Sequence, residues 1–575
     1  MTPHRLRPWA WAAIILVGVA LRAPALGVGR LGDDWYHLAM VEGTYPVARS
    51  ATDLYDFIDD DPKEHGLLRD RGAFPWWTSP SLALSPWRPL TSATLALDHA
   101  LFGRGAAGPH AVSLAAWAAL LLAAAWWLRA VLPAPAGLLA LALLALDESA
   151  TVPIAWIANR ASLLAGAFGL AAAGVLARTR GRSDPRALAL VALPASLAVA
   201  AGEYGLAVVG AAVAHELVAD PRARREGRGR LAAALAPCVL YVVAWKLLGH
   251  GARGTTAYVD PLSQPAAWAV TVRERALAFV GELTCAVPID VTNTRPAVTL
   301  GALAVAVALA AVVLARAEAA QRRAALALLA ASGVAVVPVL SAPLNGRVLL
   351  PAAPWWSAAL AALAWCAWRG APGPATWLLR ALVGLWVTAH LTVAPTRAWA
   401  ELRELAAWKP AAIPWRALPG VDACRAAGQA HVLLAAGDFG RLHTAGLYWQ
   451  ARGCERPRAW RVLSAPAGAA IVLRDGPRSL ELRAPDGAPV IGWHGMLWRV
   501  DAPFRAGERF RVAGMEAEVL AAEGGRPTRV RYTFDVPLDD PRVVLWMATD
   551  AGFEQVPPPP VGRGRLVLPT TTRFW

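Results

Sequence analysis

The 575-residue sequence is 56% hydrophobic, only 17% charged and carries a formal charge of +15, a balance too apolar along its length for an ordinary soluble protein. Net positive charge can signal a nucleic-acid partner, but here the arginines collect in short connectors between apolar runs, a distribution that sets membrane topology instead. Nothing in the chain suggests nucleic acid, a nucleotide or a redox cofactor: there is no P-loop or dinucleotide-binding glycine pattern, and the five cysteines form neither a zinc spacing nor a CxxC pair.

Runs long enough to cross about 30 Å of hydrocarbon as a helix recur through the first two thirds. They lie near 9–28, 109–131, 134–148, 153–177, 187–202, 204–219, 231–248, 297–315, 324–341, 349–368 and 375–394, and predict about eleven spans. Basic residues precede the first span (His4, Arg5, Arg7) and follow the fourth (Arg178, Arg180, Arg182, Arg186), the sixth (Arg222, Arg224, Arg225, Arg228, Arg230) and the eighth (Arg316, Arg322, Arg323). Placing these in the cytoplasm puts 29–108, 249–296 and everything beyond about 395 outside, in the periplasm of a bacterial inner membrane. The stretch 267–288 is interrupted by Arg273, Glu274, Arg275 and Glu282 and reads as an interfacial helix. The first span also resembles a signal peptide, with a basic start and an APALG end, and is expected to be retained.

Charged residues on the outer side and within spans are expensive, so function is sought there. In GRLGDDWYHLAM, directly after the first span, Asp33 and Asp34 precede Trp35, Tyr36 and His37. Asp33 has the type and place of a helix N-cap, and the pair also suits a general base with a partner that orients it or binds a divalent metal. SPWRPLTSATLALDHALFG places Arg88 before Pro89 and carries Asp98 and His99, the pattern of a Pro-started interfacial helix with a snorkelling arginine. PIAWIANRASLLAGAF spaces Trp156 and Arg160 by four residues, which predicts one shared helix face and a guanidinium about 9 Å inside the span, in need of an anion. Glu203 in AGEYGLAV and Arg347 in APLNGRVLLPA complete the outer set. An aspartate pair among arginines suits an acceptor hydroxyl and a phosphate leaving group, which arginine binds bidentately.

Past the last span, a Trp-, Pro- and Ala-rich stretch ending in KPAAIPWRALPG reads as a tether. From about 421 the pattern turns to strands: HVLLAAGDF, AWRVLSAP, AAIVLRD, SLELRAP, RFRVAGMEAEVL, RVRYTFDVP and RVVLWMA, with one helix around 442–451. Such a domain is large enough to bury its own core. His494, Asp539 and Asp540 read as turn and surface groups, and acceptor binding or partner docking is the function the domain suits. Cys424 and Cys454 are either a disulfide or two buried thiols.

Together these segments resemble the bacterial GT-C-fold glycosyltransferases, and are similar to the protein O-mannosyltransferases and the transmembrane O-mannosyltransferases that carry tetratricopeptide repeats. The likeness rests on the acidic pair Asp33 and Asp34, on Arg88, Pro89 and Leu90 followed by Asp98, Phe102 and Gly103, and on AWIANRASLL where the family has AWIAGRxDLL. It continues through Glu203, YVDPLSQP and NGRVLLPA, and spans about 10–395. It implies a polytopic helical GT-C-like domain over 1–395 with an outer loop 29–108, a linker at 396–420 and a β-rich α+β periplasmic domain over 421–575. It further implies transfer of a sugar from a polyprenyl-phosphate donor to a hydroxyl of a protein, lipid or glycan, with inversion at the anomeric carbon. On that resemblance Asp34 or Asp33 is the base, Arg88, Arg160 and Arg347 take the donor phosphate, and Trp156, Trp35, His37 and Glu203 line the substrate. No cofactor is implied, and whether a divalent metal takes part at the acidic pair is left open. The chain departs from the family where HPVHxEAV becomes DESATVPI, with Asp147 and Glu148 at the His-Pro position, and it lacks repeats of about 34 residues. A non-catalytic relative with a partner-binding domain, and a lipid-linked glycan transporter or polymerase, are the alternative readings.

Overall fold

Every one of the eleven apolar runs contains a helix in the computed structural model: Pro8–Ala20, Ala107–Val131, Ala134–Leu146, Arg160–Arg178, Pro185–Ala201, Tyr204–Ala219, Arg228–Leu247, Pro296–Arg316, Ala319–Val339, Ala353–Arg369 and Pro374–Ala407. The structure describes residues 8–255, 258–370, 373–407, 429–435, 459–465, 468–484, 499, 502–549 and 552–568. Among the described residues, seven helices are long and apolar enough to cross a membrane, or eight if Ala134–Leu146 and Glu148–Ala155, bent by 48°, form one broken span. Leu16, Leu190, Leu193, Leu240, Val307 and Leu385 on these helices are exposed in the isolated chain. An apolar residue left outside a helix bundle in this number is explained by lipid, and the chain is a multi-pass membrane protein. The helix Pro265–Cys285 is not among those apolar enough to cross.

The chain divides into two compact units. The first, of residues 1–28, 86–249 and 259–408, holds the helices named above. Small residues let its helices approach closely: a Cβ added at Gly169 would lie 2.5 Å from Val208, and one at Gly166 2.6 Å from Leu120. The last helix runs through Ala407, past the span end expected at 394, because AWAELRELAA after Pro395 consists of strong helix formers.

The second unit joins 29–85 and 250–258 to the C-terminal residues, so the outer loop folds with the strand-rich tail rather than with the helices. A four-stranded sheet runs in the order Gly552–Val556, Val543–Thr549, Ala430–Leu433, Ala459–Val462, the last three parallel. A six-stranded antiparallel sheet runs Gly564–Val567, Ala470–Gly476, Ser479–Arg483, Arg526–Phe534, Met515–Glu523, Arg509–Val512. All seven expected strand segments contain strands; Gly552–Val556 and Gly564–Val567 are additional. Trp76 and Trp77 of the loop enter the core of the tail beside Tyr532 and Trp546, and Trp76 Nε1 donates to the Leu463 carbonyl at 3.0 Å. Arg461, buried, donates to the carbonyls of Asp70 (2.7 Å) and Ala513 (2.6 Å), which ties down the end of the loop helix Pro62–Asp70. Asp539 pairs with Arg474 and Asp540 with Arg542, each at 2.6 Å, as surface groups. The expected helix at 442–451, Cys424, Cys454, His494 and the tether at 408–420 lie outside the described residues.

Candidate active site

In the second unit the acidic pair opens the helix Asp34–Val41. Asp33 occupies the N-cap position but makes no side-chain cap bond; instead the buried Asp34 accepts from the Leu31 N–H at 2.8 Å through Oδ2. That bond fixes the carboxylate against the turn Leu31–Asp34, at the N-terminal end of the helix, where backbone N–H groups favour negative charge. His37 is buried with its ring 4.5 Å from Tyr55 and 5.5 Å from Phe57, and Trp35 packs against the core of the tail. Trp35 and His37 therefore hold the helix that carries the acidic pair.

The other expected residues belong to the helical unit, which gathers them into three groups. Arg88 Nε donates to Glu203 Oε2 at 2.9 Å, and its Nη2 reaches Oε1. A Cβ at Gly202, whose φ is +148°, would lie 3.0 Å from Arg88 Cγ, so the glycine before Glu203 makes room for the arginine. Arg160 is wholly enclosed. Its Nη2 donates to Asp98 Oδ2 (2.5 Å) and the Pro109 carbonyl (2.7 Å), and its Nε to Ser113 Oγ (3.1 Å).

Trp156 and Arg160 do not share a helix face. The backbone is extended at Trp156 (φ −117°, ψ 107°), and Arg160 is the first residue of its helix rather than a point two turns inside. Arg160 turns to Asp98, and Trp156 turns elsewhere. The Arg347 guanidinium lies over the Trp156 ring, 4.5 Å from its centroid, and Asn345 Oδ1 accepts from the Arg347 N–H at 3.0 Å, capping the turn Gly346–Leu349. The DES and NGR segments also line one cleft, through Asp147, Glu148, Gly346 and Leu349, together with Glu282 and His390.

Two of its lining carboxylates, Glu148 and Glu282, belong to a charged group that the sequence did not single out. Arg397 Nη1 sits 2.9 Å from Glu148 Oε1 and 3.3 Å from Glu282 Oε1. Asp147 faces away from it: its Oδ1 accepts from the Ser149 N–H at 2.9 Å and from the Ser149 hydroxyl, and its carbonyl accepts from Arg22 Nη2 at 2.7 Å. Glu282 had registered only as a charge interrupting an interfacial helix, and Arg397 as part of a tether. A usable signal was present in Arg397, an arginine two residues beyond Pro395 at the end of an apolar run, where charge is expensive without a partner.

A divalent metal, left open by the sequence, finds no ready set of ligands. Among the described residues no group of three or more His, Cys, Asp or Glu side chains is arranged to hold an ion, and the cleft carboxylates already share a cation.

No family model matches the chain, and no curated protein matches it. Among solved structures, the oligosaccharyltransferase of Archaeoglobus fulgidus, tethered to an acceptor peptide, is 14% identical over 79% of this chain, with a TM-score of 0.43. ArnT from Cupriavidus metallidurans bound to undecaprenyl phosphate is 13% identical over 79% of this chain and 89% of its own, with a TM-score of 0.40. The arabinosyltransferase EmbB from Mycobacterium smegmatis is 15% identical over 70% of this chain and 41% of its own, with a TM-score of 0.35. The chain spans 64% of the length of the archaeal enzyme. With every one of these scores below 0.5, the chemistry rests on this chain's own residues.

Proposed function

We propose that this membrane protein is a glycosyltransferase of GT-C type, which moves a sugar from a polyprenyl-phosphate donor to a hydroxyl of a protein, lipid or glycan on the periplasmic face of a bacterial inner membrane. The observation that carries the reading is the Arg347 guanidinium stacked on Trp156, since it brings together two motif segments nearly 200 residues apart beside a cleft lined with carboxylates. A permanently charged guanidinium over an indole suits a phosphate ligand.

In this reading the acceptor oxygen attacks the anomeric carbon, its proton passes to Asp34 or Asp33, and the bond from that carbon to the phosphate oxygen breaks with the electron pair leaving on the phosphate. Arg347 binds the donor phosphate before and during that step alike. Arg88 and Arg160 keep a part in donor binding by fixing, through Glu203 and Asp98, the helices on which the site is built. Trp35 and His37 position the base. The outer face is where the basic connectors, assigned to the cytoplasm, leave these residues. A non-catalytic relative is the second reading, favoured by Arg88 and Arg160 each facing a carboxylate of the chain itself.

The test is transfer of radiolabel from a panel of polyprenyl-phosphate sugars by membranes holding the wild type, Asp33→Asn or Asp34→Asn. Transfer by the wild type that collapses in either variant at equal protein level is the expected result. Transfer from no donor, or transfer indifferent to both substitutions, would leave the non-catalytic reading in its place.

A further inference from the structure

Two buried carboxylates brought together repel each other, and a shared proton, a bound metal or a cationic side chain can relieve the repulsion. Here the carboxylates arrive from different segments, Glu148 from the turn after Ala134–Leu146 and Glu282 from the helix Pro265–Cys285. Their side chains are only 14% and 5% exposed. A third segment, the helix Pro374–Ala407, delivers Arg397 to both. Gly346 of the NGR motif is shaped to this arrangement: a Cβ there would come within 2.7 Å of Glu282 Oε1.

We propose that Arg397 is the built-in cation of this site, standing between Glu148 and Glu282 where a divalent metal would bind, so that the site works without one. The inference rests on the glycosyltransferase reading for its activity arm alone. A divalent ion of this kind needs six or more oxygens at roughly 2.0–2.6 Å. The guanidinium nitrogen at 2.9 and 3.3 Å from the two Oε1 atoms fills the space such an ion would take. The second oxygens, Glu148 Oε2 and Glu282 Oε2, are buried and take no bond from Arg397. With the guanidinium gone, two carboxylates would face the cleft with all four oxygens available, and water could complete the shell of a metal ion. Removing Arg397 therefore converts a metal-independent site into a metal-dependent one.

The test uses the full chain in detergent: wild type, Arg397→Ala, and Arg397→Ala combined with Glu148→Gln and Glu282→Gln. Manganese binding is followed by electron paramagnetic resonance, and transfer is assayed with EDTA or manganese. Arg397→Ala is expected to bind one manganese at least about tenfold more tightly than the wild type, and the triple variant to lose that site. Transfer by the wild type should be unchanged by EDTA, whereas Arg397→Ala should be inactive in EDTA and regain transfer with manganese. Wild-type transfer abolished by EDTA and restored by manganese would overturn the proposal. So would an Arg397→Ala protein that melts like the wild type yet binds manganese no better. Arg397→Gln, which keeps side-chain bulk without the charge, replaces Arg397→Ala if the latter does not fold. If no donor supports transfer even in the wild type, the function fails and the manganese comparison still decides the cation.

Discussion

Arg160 and Arg397 each bring a guanidinium to carboxylates of the helical unit, and their surroundings differ in kind. Arg160 is fully enclosed, its donors answered by Asp98, Ser113 and the Pro109 carbonyl. Arg397 is about one third exposed and is shared by two carboxylates through one oxygen of each. A closed, one-to-one pair with auxiliary hydrogen bonds fixes helices; a cation shared by two carboxylates on a cleft is an arrangement that can accept a ligand. The distinction can be broken experimentally. Asp98→Asn leaves Arg160 buried without its counter-charge and should cost about 3–5 kcal/mol, seen as a fall of many degrees in the melting midpoint in detergent. Glu282→Gln should leave melting nearly unchanged and reduce transfer. Equal melting losses in the two variants would erase the difference between the pairs.

A smaller effect is expected where the site meets the donor. Arg347→Lys preserves the charge but not the planar stack on Trp156, and a stacked guanidinium is worth about 1 kcal/mol over an exposed or half-buried ring. The donor KM should rise roughly fivefold with kcat little changed, because the loss falls on ground-state and transition-state binding alike. A fall in kcat at constant KM would instead place Arg347 on charge that develops only in the transition state.

How far these groups were legible beforehand follows from what each depends on. The helices were readable because lipid imposes one requirement on every span, and the strands because alternation is local. Arg88 with Glu203 and Trp156 with Arg347 were each singled out, but their pairing was not, since it depends on how helices pack rather than on spacing. The Trp156–Arg160 expectation failed because four-residue spacing has meaning only in an unbroken helix, and the break answers to Asp98, 62 residues away. Arg397 was passed over because Pro395 read as an end of structure, while the helix carries on through it. The outer loop was assigned to the helical domain because nothing local shows that Trp76 belongs to a core more than 380 residues later.

The smallest predicted effect extends the comparison to the strand-rich unit, where the stoichiometry is reversed. Glu481 is one buried carboxylate between two arginines: Arg483 Nε donates to its Oε1 at 2.7 Å and Arg529 Nε at 2.8 Å. Burial pushes its pKa up, but the hydrogen bonds and charges of Arg483 and Arg529 outweigh it and hold the carboxyl below its ordinary value. A folded-state pKa below the unfolded one means that the contribution to stability is present above about pH 4.3, the ordinary glutamate value, and is lost as pH falls through the folded pKa. Both arginines are nearly half exposed, so solvent screening keeps the effect small. Melting of the strand-rich unit, followed by near-ultraviolet dichroism from Trp76, Trp460 and Trp546, should fall less steeply between pH 5 and 3 in Glu481→Gln than in the wild type. An unchanged slope would mean that the pairing of Glu481 with its two arginines adds nothing measurable to stability. Surplus positive charge around Glu481 would then count for little, whereas the surplus negative charge around Arg397 is what the manganese experiment reads.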